Sequence, residues 1–259
     1  MTIRSFDLLQ PRSLPEAVEM LAKHGDDARA LGGGTTLIIL MKQRALYYRY
    51  LVDLQTIPGF ADIKSEADGV RVGALVTHRT MEQSAVIRQA FPVVAEAFSH
   101  IGNVRVRQTA SVGGNLAHAD YRLDPPPALL VLGAFRDMYE TALEPGELLV
   151  DVKIPSLPAN SRAVYLRYTA LSANDWPCLG VAAYLTKENG RCKELRVALG
   201  GVAATPLLMD GLEFANDQSL DPDVIDKLLE KVNEQISPFA DLRGSEWYKR
   251  RMARVFVKK

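Results

Sequence analysis

Cysteine is nearly absent: the 259 residues contain only Cys178 and Cys192. Two thiols cannot make a disulfide framework, a four-thiolate zinc site or an iron–sulfur cluster. Histidine is almost as sparse, and His24, His78, His100 and His118 lie at no metal-ligand spacing. No Ser/His/Asp or Cys/His arrangement for nucleophilic catalysis is visible. Charge of one sign is missing too, since 31 basic and 31 acidic side chains cancel; this argues against a broad nucleic-acid surface. No apolar run approaches the ~20 residues of a membrane-spanning helix, the longest being Ala128 to Phe135. The N-terminus has no apolar signal-peptide core and meets Pro11 almost at once. A reducing, cytoplasmic location is therefore expected. What is there, 47% hydrophobic and 24% charged residues, is the composition of a globular chain of one large domain or two modest ones.

The pattern along the chain predicts an α+β molecule. Ser13-Leu-Pro-Glu16 reads as a capping box with proline in the first turn. Leu14, Ala17, Val18 and Leu21 continue it at helical spacing to a stop at Gly25. A strand at Ala28–Leu31, a helix starting near Leu37 and a strand from Tyr50 complete a first α/β unit, residues 1–55. The second unit, 56–158, opens with a hairpin over Ile63–Ala74 that turns at Asp68-Gly69. Thr80–His100 is helical, broken at Pro92; Ile101–Asp120 reads as an aperiodic loop; Pro125 starts a short apolar helix; strands follow near Ala134–Tyr139 and Leu148–Ile154. Ser156–Ser161 has linker composition and sets a domain boundary. Beyond it, 162–259 alternates as strands at Val164–Thr169, Leu179–Thr186 and Lys193–Leu199, the last two joined by Asn189-Gly190. Helices capped by Asp221 and spanning Ser245–Val257 end the chain, the latter carrying a basic cluster, Lys249, Arg250, Arg251 and Arg254, expected on a solvated face.

Two glycine motifs offer chemistry. Gly32-Gly33-Gly34-Thr35-Thr36 lies between a strand and a helix, so backbone amides approach an anion closely there. It is neither a Walker loop nor a Rossmann G-x-G-x-x-G turn, and the alternative is a tight turn needing positive φ. Ser111-Val-Gly-Gly-Asn115 lies inside the aperiodic segment, and such long loops are usually functional or disordered. Gly114 is expected at positive φ, where a β-branched substitute strains the backbone and obstructs a phosphate. Asp124 is either an acceptor for ribose or ribityl hydroxyls or an N-cap for the proline-started helix. Together the two motifs suggest a long diphosphate ligand gripped from two sides.

Leu31-Gly-Gly-Gly-Thr-Thr-Leu37, Ile101-Gly-Asn103, Arg107, Ser111-Val-Gly-Gly-Asn115, His118-Ala-Asp120 and Asp124 resemble the FAD-binding medium subunits of the molybdenum hydroxylases. That family includes the flavin subunits of aerobic carbon monoxide dehydrogenase and the flavin domain of xanthine dehydrogenase. The resemblance continues through Leu148–Pro155 and Asn174–Ala183 and covers essentially the whole chain. It implies a two-part FAD-binding domain of the vanillyl-alcohol-oxidase-like type over 1–158, followed by a C-terminal antiparallel sheet domain with helices. It assigns the pyrophosphate to Leu31, Gly32, Gly33, Gly34, Thr35, Thr36 and Leu37 and to Ser111, Gly113, Gly114 and Asn115. Asp124 falls to the ribityl chain or adjoining phosphate, Leu149 to the isoalloxazine ring, and Arg167 to a position where relatives carry a lysine near the flavin. A cation at Arg167 would stabilise a reduced, anionic ring; the alternative is a strand-edge surface charge. Gly32 stands where the family usually has alanine.

The resemblance further implies non-covalent FAD, with a molybdenum cofactor on a large partner subunit and 2Fe–2S clusters on a small one. The assembly would be a dimer of heterotrimers that passes electrons through FAD to an external acceptor. Two cysteines on this chain agree with clusters held elsewhere, because each cluster needs four ligands. The rival readings are a self-contained flavin oxidase of the vanillyl-alcohol-oxidase type and a nucleotide-binding module without redox activity.

Overall fold

A computed structural model describes residues 3–134, 143 and 146–259. The first unit is a parallel sheet of β1 (Asp7–Leu9), β2 (Ala28–Leu31) and β3 (Tyr50–Asp53) in the order β1-β3-β2. Central Leu51 and Val52 are fully buried, as a strand covered on both faces requires. The helix α1 (Leu14–His24) lies between β1 and β2 in the chain and packs Ala17 against Val52 and Ile57. Ser13 caps α1 through the Glu16 amide; the Glu16 carboxylate takes the Arg12 amide at 2.7 Å, so the box closes one residue early. The short α2 (Leu37–Lys42) follows the glycine run.

The second unit is an antiparallel sheet, β4 (Ile63–Glu66), β5 (Gly69–Gly73) and β6 (Asp151–Pro155), with β5 in the middle. The hairpin stands where the sequence places it. The strand expected at Leu148–Ile154 begins three residues later, at Asp151, and the one expected at Ala134–Tyr139 lies almost wholly outside the described residues. The helical stretch is three pieces, α3 (His78–Gln83), α4 (Ala85–Ala90) and α5 (Pro92–Ser99), broken at Ser84, which caps α4, as well as at Pro92. The segment read as an aperiodic loop is in fact two short helices, α6 (Val104–Thr109) and α7 (Val112–His118), capped by the Asn103 and Ser111 side chains. Every residue of α8 (Pro125–Val131) is buried, its prolines sitting in the first turn where no amide partner is needed.

The C-terminal sheet runs β10-β9-β8-β7, built from β7 (Ser161–Tyr168), β8 (Leu179–Glu188), β9 (Arg191–Gly200) and β10 (Leu207–Leu208). Asn189 and Gly190, at φ 50° and 79°, make the predicted hairpin turn. Alternate residues serve opposite faces. Val181, Val197 and Leu199 pack with Leu228 and Val232 of α9 (Pro222–Gln235) and Ala253 of α10 (Glu246–Lys258). On the other face Tyr165, Ala182 and Ala198, paired across three strands, join the core of the second unit beside α8. The largest core cluster therefore crosses the Ser156–Ser161 segment. Arg250, Arg251 and Arg254 are partly or fully exposed as expected, but Lys249 is buried: its ammonium pairs with Asp241 at 3.0 Å and donates to the Phe239 carbonyl.

Candidate functional site

The two glycine motifs meet backbone to backbone. Segment 110–113 is bonded to segment 74–78: His78 donates to the Ala110 carbonyl, Val112 to that of Val76, and Gly113 to that of Ala74. Gly113 is thereby pressed onto Ala74, whose Cβ lies 2.6 Å from where a Gly113 side chain would begin. The first motif lies against the same junction. A Cβ on Gly33 would overlap the Thr109 carbonyl oxygen, and one on Gly32 would stand 2.8 Å from the Ser111 hydroxyl. Within the run only Gly34 has positive φ, at 66°. The Gln55 carboxamide holds the outer side through the Gly32 carbonyl at 2.8 Å.

A cleft of about 440 Å³ opens between the motifs. Leu31 to Leu37 form one wall, and Ser111, Gly114, Asn115 and His118 another. Ile101 to Asn103, Leu123, Asn174 and Trp176 close it. Among the described residues the amides of Gly33, Gly34, Thr35 and Thr36 have no protein acceptor. The second motif differs. Its amides from Val112 to Asn115 are taken, Val112 and Gly113 by segment 74–78, Gly114 by the Ser111 hydroxyl and Asn115 by the Ser111 carbonyl. Most of the free backbone donors thus come from the first motif. Gly114 is not at positive φ; it sits inside α7, exposed to the cleft, and a Cβ there would meet only the Ser111 hydroxyl, at 2.9 Å.

Four sequence-predicted site residues do not line the cleft. Gly113 is buried against Ala74. Leu149 packs against the main core. Asp124 is 3% exposed; it stands at the N-cap position of α8 without a side-chain cap bond, and its Oδ1 accepts from the Tyr165 hydroxyl at 2.7 Å and from Arg167 Nε at 2.9 Å. Burial raises the Asp124 carboxyl above its usual range against the pull of Arg167. Arg167 is not a strand-edge surface charge. Its guanidinium is buried on Asp124 and donates to the carbonyls of Ala173 and Asp175, which fixes the loop carrying Asn174 and Trp176. The Trp176 ring is stacked by Arg122 at 3.8 Å, and Arg122 is itself held by Asp120. Arg243 anchors Asp175 from the far side at 2.6 Å and holds that carboxyl below its usual range.

Among the lining residues that the sequence reading did not assign to the site is His78. His78, 1% exposed, has its Nε2 3.1 Å from the Ser111 carbonyl. Burial pushes its pKa from 6.5 down to about 4, with the Arg107 guanidinium adding to the effect. At neutral pH the ring is uncharged, and bonding a carbonyl requires the proton on Nε2. Its Nδ1 and the Asn115 Oδ1 are both buried without partners among the described residues. A lone histidine gives no periodic signal; only its place beside Thr77, the cap of α3, marks it.

Residues 4–135 match the family model for the FAD binding domain in molybdopterin dehydrogenase, and residues 165–259 match that for the CO dehydrogenase flavoprotein C-terminal domain. The chain belongs to the FAD-binding medium subunits of the molybdenum hydroxylases. It is 31% identical to the carbon monoxide dehydrogenase medium chain of Afipia carboxidovorans, over 98% of this chain and 95% of that one. It is 24% identical to the xanthine dehydrogenase FAD-binding subunit of Escherichia coli O157:H7, over 95% of this chain and 91% of that one. Among solved structures, reconstituted CO dehydrogenase from Oligotropha carboxidovorans superposes with a TM-score of 0.94 at 30% identity, covering 100% of this chain and 96% of the other. Quinoline 2-oxidoreductase from Pseudomonas putida 86 superposes at 0.90 and 28% identity, again over 100% and 96%. The expected α+β architecture, a two-part FAD-binding region followed by an antiparallel sheet with helices, is the one observed. The residues of the cleft suit a dinucleotide of this kind: a glycine cradle that a Cβ would fill, four free amides, and two buried polar atoms without partners.

Proposed function

We propose that this chain is the electron-exit subunit of a molybdenum hydroxylase, holding FAD non-covalently in the cleft between the two glycine motifs. When bound, FAD would receive electrons from 2Fe–2S clusters of a small partner and release them to an external acceptor, with substrate oxidised at the molybdenum cofactor of a large partner. The observation that carries the reading is the first motif, whose free amides at Gly33 to Thr36 face a cleft kept open by glycines. Leu31 to Leu37 bind the diphosphate, and Ser111, Gly114 and Asn115 form the facing wall. Gly113, Asp124, Leu149 and Arg167 act from behind, Gly113 by seating the second motif and Arg167 with Asp124 by positioning the Asn174–Trp176 loop. No cysteine is available to tether the ring or ligate a cluster, because Cys178 and Cys192 are both buried and burial holds their thiols protonated.

The test begins with the spectrum of the purified chain, which should show flavin bands, all released into the supernatant by acid. Mixed anaerobically with substrate and both partners, the flavin should bleach, and leaving out the iron–sulfur partner should stop the bleaching. Bleaching by a substrate in the isolated chain would mean a self-contained oxidase instead.

A further inference from the structure

The sides of the cleft are fastened in different ways, and one of them hangs on a side chain that does not itself line the cleft. The second motif is bonded to segment 74–78 through its backbone. The side formed by Ile101 and Gly102 has little of that kind. The Ile101 side chain packs on the main core, but among the described residues the only backbone bond of the two is from the Ile101 amide to the Phe98 carbonyl, at 3.4 Å. Their carbonyls are held by Arg107 of α6, whose Nη1 donates to Ile101 at 3.2 Å and to Gly102 at 3.0 Å. The guanidinium is held from behind in turn. Its Nε pairs with the Glu82 carboxylate at 3.0 Å, and each of the two side chains is only 14% exposed. Burial opposes the charge on Glu82, but bonds from Arg79 and Arg107 outweigh it and hold the carboxyl below its usual range. Glu82 belongs to α3, whose first residue, His78, braces the Ser111 carbonyl. Four residues of α-helix rise about 6 Å, so one short helix spaces two sides of the cleft. His78 at its start fixes the Ser111 side, and Glu82 near its end fixes the Ile101–Gly102 side through Arg107.

We propose that Arg107 is a positioning residue: fixed by Glu82, it holds the Ile101–Gly102 side of the cleft in place and thereby governs how quickly the bound flavin dinucleotide leaves. This rests on the flavin reading above. The position calls for a fork, because one group serves a carboxylate and two carbonyls at once. A guanidinium carries five donors in a fixed plane, where an ammonium carries three on a flexible stem. The brace is also removable. Without Arg107, Glu82 keeps Arg79 at 2.8 Å, so no carboxylate is left alone, and the two carbonyls belong to residues that are only partly buried.

The full-length chain is loaded with FAD, its spectrum is recorded, and release on dilution is followed by flavin fluorescence, beside thermal melts of the FAD-free chain. Arg107→Met should release FAD about 10-fold faster than wild type, the scale of one charge-assisted hydrogen bond. Arg107→Lys should fall between the two. Glu82→Gln should also speed release, and adding it to Arg107→Met should bring little more, because both act through one brace. Arg71→Met is the comparison: Arg71 pairs with Glu66 and Asp151 on the sheet of β4 to β6, outside the cleft lining, and its loss should leave FAD release at the wild-type rate. A merely structural Arg107 would behave as Arg71 does, lowering the melt and leaving release unchanged, and that result overturns the proposal. Additive effects of Glu82→Gln and Arg107→Met overturn it too. Where Arg107→Met does not fold, unchanged release in both Arg107→Lys and Glu82→Gln has the same force. Failure of the wild type to hold FAD at all is a separate result, which removes the cofactor reading itself and the proposal with it.

Discussion

At the scale of single residues, the cleft is built from groups whose partners are already spoken for, and the exceptions carry the meaning. His78 is one exception with a consequence for stability. In the unfolded chain its imidazole takes a proton near pH 6.5, whereas in the folded chain it resists protonation down to about pH 4. Between those values the unfolded state binds more protons, so stability is present above pH 6.5 and is lost as pH falls toward 4. The shift corresponds to about 3 kcal/mol. The carboxylates held low by arginines, Glu82, Asp120 and Asp175, start from ordinary values of 4.5 or 3.8 and act at the lower edge of that window and below it. Urea unfolding followed from pH 7 to 4.5 should therefore show a falling stability that is largely flattened in His78→Phe. An unchanged slope in the variant would place the proton uptake elsewhere.

At the scale of elements, the site is the contact between two glycine motifs, and one pair of atoms measures it. The Ser111 hydroxyl caps α7 through the Gly114 amide and lies 2.8 Å from where a Gly32 side chain would begin. Gly32→Ala should cost about 1–3 kcal/mol by overpacking, and Ser111→Ala about 1 kcal/mol as a lost cap. With the hydroxyl gone, the nearest neighbours of an added methyl are Leu75 Cδ2 at 3.6 Å and Ser111 Cβ at 3.9 Å, ordinary contact. The double variant should thus unfold close to Ser111→Ala alone, and additive losses in denaturant melts would show that the motifs do not touch this way. Much of this was legible from the sequence. Capping residues, Asn189-Gly190 and the apolar period of α1 declared their elements, and residues of both glycine motifs line one cleft. The helices α6 and α7 were not, because six and seven residues make under two turns and show no apolar period; α6 buries none of its residues. Their caps, Asn103 and Ser111, were the available signal. The pairing of Asp124 was not legible, because sequence shows a carboxylate before a helix but not the arginine 43 residues away that bonds its Oδ1.

At the scale of the whole molecule, the two matched family segments are not two independent bodies. Tyr165, Ala182, Tyr184 and Ala198 complete the core built around Phe91, Phe98 and α8. The cleft likewise needs both halves, since Asn174 and Trp176 come from beyond the linker while the glycine motifs come from before it. Arg167 ties Asp124 to that loop across the same divide, and the Lys249–Asp241 pair holds α10 to the segment from which Arg243 reaches Asp175. Splitting the chain at Pro158 would expose α8 and one face of the C-terminal sheet, an apolar surface neither fragment has a means to cover. The chain should therefore melt in one cooperative transition, with calorimetric and van't Hoff enthalpies agreeing near roughly 180 kcal/mol at about 60 °C for 259 residues. Fragments 1–158 and 159–259 should each fail to fold alone. FAD present at about 100 times its dissociation constant should raise that single transition by about 2.7 kcal/mol without splitting it. Two resolved transitions, with only the first moved by FAD, would mean that the shared core does not couple the halves.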